Sequence, residues 1–134
     1  MVLTKKQIIS AFLILGLVFA TLLSNAQVPD EIILGLKKGN VKILSRYFNQ
    51  NVELVVLENE NVYSKAQAQQ IVGNFFNNYI PEEFTVLHNS NSSKEGAKSV
   101  IGNLKTQKGN FRVYFLLKQS DGKEYIHQLR IEKQ

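Results

Sequence analysis

The stretch SKAQAQQIVGNFFNNYIP, residues 64–81, carries the strongest structural signal in the chain. Ser64 and Gln67 have the spacing of a capping box, which begins a helix. Pro81 cannot continue that helix because its ring removes the backbone N–H. Between them, apolar side chains recur at the spacing of one helical face; they are Ala68, Ile71, Val72, Phe75, Phe76 and Tyr79. The pattern therefore predicts a long amphipathic helix.

The residues before this helix predict two short helices and a strand. Residues 29–39 begin with Pro-Asp and end with Gly, as a short helix does. Asn40 can cap a second helix, whose apolar stripe runs from Val41 to Phe48. Residues 52–57 are rich in β-prone side chains and predict a strand. A turn is expected at residues 59–61.

The chain after Pro81 is predicted to form strands and turns. Asp121-Gly122 is a strong signal for a tight hairpin, and residues 89–96 are polar enough for a loop. The predicted strands are Phe84–His88, Ser99–Thr106, Phe111–Lys118 and Tyr125–Glu132. Helices followed by a run of strands indicate an α+β domain, with the helices packed on one face of a curved antiparallel meander sheet.

The first twenty-six residues have the pattern of a signal peptide. Lys5 and Lys6 precede an apolar run from Ile8 to Leu23, and Ser24-Asn25-Ala26 supplies small residues for cleavage. An uncleaved anchor is one alternative, but sixteen helical residues reach only about 24 Å of a bilayer core of about 30 Å. A buried core helix is another. We expect export to the periplasm or medium, with residues 27–134 as one domain and no membrane anchor after cleavage.

The composition excludes several kinds of chemistry. The 134 residues contain no Cys and two His, which excludes disulfides, thiolate metal sites and thiol catalysis and leaves no multi-histidine metal site. The net charge of +5 is too small to indicate nucleic-acid binding. The sequence contains no phosphate-binding glycine loop. We therefore expect no metal, no cofactor and no nucleic-acid partner.

The order of elements resembles the nuclear-transport-factor-2-like, or cystatin-like, superfamily. The chain also resembles a family of short exported bacterial proteins of unknown function, from about Ile32 to Glu132. The stretches that carry this resemblance are residues 63–68, Phe75-Phe76, His88, residues 101–104, residues 109–113 and residues 129–132. The resemblance implies a cone-shaped fold, in which a curved sheet wraps a long helix, and an exported protein. It implies no activity.

Strand register gives three candidate ligand-binding residues. A two-residue Asp121-Gly122 turn pairs Ser120 with Lys123 and directs Gln128 and Arg130 towards the helices. His88 shares an alternating stripe with buried-type residues and is expected to face the same interior. A hydrogen-bonded structural histidine and an Arg130 salt bridge to Glu53 or Glu132 are the alternatives. A one-residue bulge would reverse the assignment of faces.

The opposite face of the last hairpin has the composition of an interface. Its candidate contact residues are Tyr114, Leu116, Tyr125 and Leu129. We expect a homodimer or a protein partner there. The function predicted from these features is an exported module that binds a small ligand or a protein. The alternative is a small isomerase-like or dehydratase-like enzyme, with His88 as base and Arg130 as substrate anchor.

Overall fold

The structure is a computed structural model that describes residues 4–10, 28–92 and 96–134. Residues 5–10 are helical. Most of the predicted signal peptide, including its cleavage site after Ala26, lies outside the described residues. Within the described ranges, no helix is both long and apolar enough to cross a bilayer.

Three helices follow, and their ends agree with the local sequence. They are α1 (Asp30–Lys38), α2 (Val41–Ser45) and α3 (Lys65–Asn78). Gly39 ends α1 in the left-handed conformation at a φ of 63°, which glycine adopts without a steric cost. The Asn40 side chain accepts a hydrogen bond from the backbone N–H of Ile43 and caps α2. The predicted capping box of Ser64 and Gln67 is confirmed at the start of α3.

Six strands form a single curved sheet in the order β2-β1-β6-β5-β4-β3. The strands are β1 (Phe48–Val56), β2 (Asn59–Ser64), β3 (Pro81–Ser92), β4 (Ala97–Thr106), β5 (Gly109–Ser120) and β6 (Lys123–Lys133). The pair β1–β6 is parallel and the other pairs are antiparallel. The α+β fold predicted from the order of elements is confirmed.

Three boundaries differ from the prediction. Helix α2 ends at Ser45, and Phe48 already belongs to β1. Residues 59–61, predicted as a turn, lie in β2, a strand that the sequence did not indicate because its side chains are mostly exposed. Strand β3 includes residues 89–92, predicted as a loop, since their backbone pairs with β4. At residues 59–61 and 89–92, pairing with a neighbouring strand outweighs weak local β-propensity.

The last hairpin begins in the predicted register and then departs from it. Asp121 and Gly122 both have positive φ, 52° and 76°, and Ser120 pairs with Lys123. Leu117 pairs with Ile126, but Leu116 pairs with Gln128, so His127 is an extra residue in β6. This bulge reverses the faces of every later residue in the strand.

The inner face of the sheet, the one that the helices cover, is filled by apolar side chains. Phe75 and Phe76 of α3 are each 4% exposed. The Phe75 ring meets the Phe111 ring edge-on, at 5.0 Å between centroids, and stacks on Tyr79 at 5.1 Å. The fully buried residues of the inner face include Val100, Leu104, Phe111, Val113, Phe115, Ile126, Leu129 and Ile131. The described inner face of the sheet is therefore packed core.

Candidate functional site

A cavity of about 380 Å³ opens at the rim of the cone, beside the start of α1. We call it the mouth cavity. Its lining combines aliphatic side chains with amides, a hydroxyl and an amine; the residues are Val28, Ile33, Val86, Asn89, Asn91, Lys98 and Ser99. Cavities of this size, with an apolar part and a few polar groups, are typical of small-molecule sites.

A bulge in β3 shapes one wall of this cavity. Val86 pairs with Gly102 and His88 pairs with Ile101, so Leu87 is the extra residue between them. The bulge leaves Val86 lining the cavity and moves the exposed His88 to the outer face. The prediction that His88 faces the interior is therefore wrong, because it assumed unbroken alternation along the strand.

A largely buried ion pair lies at the edge of the mouth cavity. The Lys98 Nζ contacts the Glu124 Oε1, and the two side chains are 12% and 11% exposed. The pair joins β4 to β6 across the intervening β5. The other carboxylate oxygen of Glu124, Oε2, is buried and has no hydrogen-bond partner among the described residues. Removing either partner would leave a buried charge uncompensated.

Gln128 and Arg130 lie on the outer face, not in the interior. They line a shallow groove of about 230 Å³ over β2, β1 and β6. The Gln128 Nε2 donates a hydrogen bond to the Glu53 Oε2 at 2.7 Å. One Arg130 guanidinium nitrogen lies 3.4 Å from the Glu132 Oε1, which is one of the two salt bridges anticipated for it. The interior placement of both residues is wrong because of the bulge at His127.

The three predicted ligand-binding residues do not form one site. Arg130 pairs with Tyr114, Tyr114 with Ile101, and Ile101 with His88. His88 is therefore three strands from Arg130, which is about 14 Å at the usual strand spacing. His88 and Arg130, predicted as base and substrate anchor, thus lie on the same face. They are too far apart to act on the same part of a small substrate.

The two histidines differ in their surroundings. His127 is half-buried at the β6 bulge, and this burial lowers its pKa below the usual 6.5; the Lys118 ammonium lowers the pKa further. As the pH falls, the His127 imidazole is therefore protonated in the unfolded chain before it is protonated in the folded one. Acidification through the titration of His127 thus lowers the stability of the fold. His127 does not line the mouth cavity.

The residues proposed for an interface are divided between the two faces. Tyr114, Leu116 and Tyr125 are half-buried residues of the outer face. Leu129 is 0% exposed and packs in the core, so its assignment to an interface is wrong. The same one-residue bulge accounts for this error, since it exchanges Leu129 for Gln128 on the outer face.

Sequence reasoning missed the residues that line the mouth cavity. Asn89 and Asn91 were placed in a loop, and low β-propensity offered no signal for the strand they occupy. Lys98 and Glu124 are 26 positions apart on strands that are not neighbours in the chain. Only the register of the assembled sheet brings them together. Among the described residues, the structure has no group of three or more side chains that could hold a metal ion.

Residues 29–132 match the family model described as "Domain of unknown function (DUF4783)". The chain belongs to the DUF4783 family. A DUF4783 protein from Bacteroides ovatus is 34% identical to it, with a TM-score of 0.74 over 80% of this chain and 96% of that one. A second, from Bacteroides uniformis, is 33% identical, with a TM-score of 0.74 over 81% of this chain and 98% of that one.

The likeness extends beyond DUF4783 at the level of the fold. A designed nuclear-transport-factor-2-like protein is 14% identical, with a TM-score of 0.61 over 76% of this chain and 90% of that one. At this identity the likeness concerns the fold alone, and the DUF4783 chain thus has the predicted nuclear-transport-factor-2-like architecture. No curated protein matches the chain significantly. The family description assigns no activity.

Proposed function

We propose that this protein is an exported binding module that holds a small amphipathic molecule in the mouth cavity and performs no chemistry on it. The observation that carries the proposal is the lining of that cavity. Val28, Ile33 and Val86 offer an aliphatic surface. Asn89 and Asn91 offer polar groups that can orient the other end of a ligand.

Export is supported by the N-terminal pattern. Lys5, Lys6 and the following apolar run precede the residues that match the family model, which begin at residue 29. The leader thus lies outside the matched domain, where a removable targeting segment is expected. A binding module in the periplasm or medium would carry its ligand without needing a cofactor.

Binding is favoured over catalysis by the chemistry of the cavity lining. Among the described residues that line the cavity, Lys98 alone carries a titratable side chain, and Lys98 is paired with Glu124. General acid–base catalysis requires a proton-transferring group within hydrogen-bond reach of the substrate. His88, the base of the alternative enzyme hypothesis, is an exposed residue of the outer face and does not line this cavity.

The test uses octane-1,2-diol as the probe, because it combines an aliphatic chain with neutral hydroxyl groups. The sample is isotope-labelled protein in the form that its host exports. It is titrated with the probe, and the titration is followed by NMR. We expect the backbone amide signals of Asn89, Asn91 and Ser99 to shift at millimolar probe. Glycerol, which has the hydroxyl groups without the chain, should leave them in place.

A matched pair of variants locates the binding. Val86→Arg fills the cavity and should weaken probe binding at least tenfold, whereas Val62→Arg makes the same change on the outer face and should not. Both positions are exposed, 38% and 57%, so both variants should fold. Unshifted cavity signals in the wild type, or equal binding by the two variants, would overturn the proposal.

A further inference from the structure

A second cavity, of about 500 Å³, lies at the turn between β1 and β2. We call it the hairpin cavity. Its lining joins this turn to the residue that follows α3 and to the end of β6; the residues are Leu57, Glu58, Asn59, Tyr79, Glu132 and Lys133. The hairpin cavity shares no described lining residue with the mouth cavity. Its volume is within the range of small-molecule sites.

The apolar part of the hairpin cavity consists of an aromatic ring and an aliphatic side chain. The Tyr79 ring stacks on Phe75 at 5.1 Å between centroids and meets Phe111 edge-on at 4.9 Å. These two contacts hold the half-buried ring in place. Leu57 is 41% exposed, and a ligand that covers its side chain would remove apolar surface from water.

The backbone of Leu57 has a conformation that leucine rarely adopts. Its φ is 54°, in the left-handed region that disfavours bulky side chains and that glycine and asparagine tolerate. Its N–H donates a hydrogen bond to the Ile131 carbonyl oxygen at 3.2 Å, which holds the turn against β6. Costly backbone conformations of this kind cluster at ligand sites. The turn thus contains a leucine at a position whose backbone favours glycine, and that leucine forms a wall of the cavity.

The polar part of the hairpin cavity carries two charges of opposite sign that do not pair. Glu58 and Lys133 are both exposed, and neither forms an ion pair with another described residue. The third charged residue of the lining, Glu132, lies 3.4 Å from an Arg130 guanidinium nitrogen, which balances its charge. One carboxylate and one ammonium group therefore remain available to a ligand.

These two charges lie on neighbouring segments of the chain. Glu58 and Lys133 are each two residues beyond one member of the parallel pair Val56–Ile131. The chain turns from β1 towards β2 after Val56, so the backbones of Glu58 and Lys133 are separated by up to two strand spacings, roughly 10 Å. A small ligand that carries both an ammonium group and a carboxylate can contact both side chains.

We propose that the hairpin cavity binds a free α-amino acid with an apolar side chain. The ammonium group of the ligand contacts the Glu58 carboxylate, and its carboxylate contacts the Lys133 ammonium group. The apolar side chain of the ligand lies against Tyr79 and Leu57. A ligand with one charge would satisfy one of the two protein groups and meet like charge at the other. This site is independent of the mouth cavity and its ligand.

Probes that share one phenyl group test the need for both charges. They are L-phenylalanine, phenethylamine, which lacks the carboxylate, and 3-phenylpropanoate, which lacks the ammonium group. Isotope-labelled exported protein is titrated with each probe at neutral pH and followed by NMR. We expect the backbone amide signals of Leu57, Glu58 and Asn59 to shift at millimolar phenylalanine. Each analogue should bind about fivefold more weakly, the upper range for an exposed ion pair.

The location of the shifts separates this site from the mouth cavity. With phenylalanine, the amide signals of Asn89 and Asn91, which line the mouth cavity, should stay in place. Absence of shifts at the hairpin cavity, shifts confined to the mouth cavity, or an analogue that binds as well as phenylalanine would overturn the proposal. None of these results bears on the binding of octane-1,2-diol in the mouth cavity.

Charge variants assign a partner to each end of the ligand. Glu58→Gln should weaken phenylalanine binding about fivefold and abolish the preference over 3-phenylpropanoate. Lys133→Gln should have the same effect on binding and abolish the preference over phenethylamine. Glu83→Gln and Lys65→Gln are the matched controls, because they neutralise exposed charges on β3 and α3 outside the cavity. Cavity variants that bind phenylalanine as well as the controls do would overturn the proposal.

Leu57→Asn tests the apolar wall. Asparagine tolerates a positive φ, so the variant should fold, which circular dichroism checks. Because it removes the aliphatic surface, it should weaken phenylalanine binding about threefold or more, and unchanged binding would overturn the proposal. If this variant is unfolded, the comparison of the three probes on the wild type decides the proposal.

Discussion

At the scale of the residue, Gly102 marks the closest approach between a strand and a core ring. A methyl group built on Gly102 would lie 2.4 Å from the Phe84 Cζ and 2.8 Å from the Thr85 carbonyl oxygen. Phe84 is 4% exposed and lies on the neighbouring strand. The ring therefore occupies the space that any other residue at position 102 would need, beside the wall that carries Val86.

Gly102→Ala should therefore destabilise the protein by about 1–3 kcal/mol, the usual cost of overpacking a core. Gly73→Ala is the matched control, because its new methyl group would meet the Val41 Cγ1 at an ordinary 3.4 Å. In a helix interior that change should stabilise by about 0.5–1 kcal/mol. Urea unfolding of both variants measures the two effects, and equal stability of Gly102→Ala and wild type would contradict the packing described.

At the scale of the element, α3 combines a local start signal with a tertiary attachment. The Ser64 hydroxyl accepts a hydrogen bond from the Gln67 backbone N–H at 3.2 Å. The opposite part of the helix is held by Phe75 and Phe76, whose rings are buried. The cap defines where the helix begins, and the rings hold it against the sheet.

The cap and the buried rings should differ several-fold in their contributions to the free energy of unfolding. Ser64→Ala removes the cap and should cost about 1 kcal/mol. Phe75→Ala and Phe76→Ala remove buried rings and should each cost about 3–5 kcal/mol, a large part of a typical stability of about 5–15 kcal/mol. Denaturant melts of the three variants rank them. A Ser64→Ala protein less stable than both Phe variants would contradict the role assigned to the rings.

The strand bulges are the other decisive feature at this scale. The extra residue Leu87 in β3 moves His88 to the outer face, and the extra residue His127 in β6 moves Leu129 into the core. Each bulge changes the face of all the residues beyond it. The residues that line the mouth cavity and those that lie on the outer face both depend on these two positions.

At the scale of the whole molecule, the helices cover one face of the sheet and the outer face carries exposed and half-buried side chains. The mouth cavity lies at the rim of the cone, beside the start of α1.

Processing should leave a chain that begins at Gln27. The basic start, the apolar run and the small residues at Ser24 and Ala26 together fit a signal-peptidase site. Intact-mass analysis of the exported protein should give the mass of residues 27–134, recovered in the soluble fraction. A mass that retains residues 1–26, in the membrane pellet, would contradict this and favour the uncleaved anchor.

The sequence by itself determined the helices, most strands, the hairpin turn at Asp121-Gly122 and the family. These features depend on contacts within a few positions, such as the Ser64 cap, or on the spacing of apolar residues along one element. The α+β order followed from them. The candidate site was predicted less well, because Gln128, Arg130 and His88 were assigned to the inner face and lie on the outer one.

The tertiary structure alone decided which side chains face each other. Lys98 and Glu124 meet because three strands align in one register, and no local pattern records that alignment. The side chains of a strand alternate between faces, so one extra residue moves all those that follow to the opposite face. No sequence pattern marks the positions of the two bulges. They nevertheless determine which side chains line the mouth cavity and which lie on the outer face.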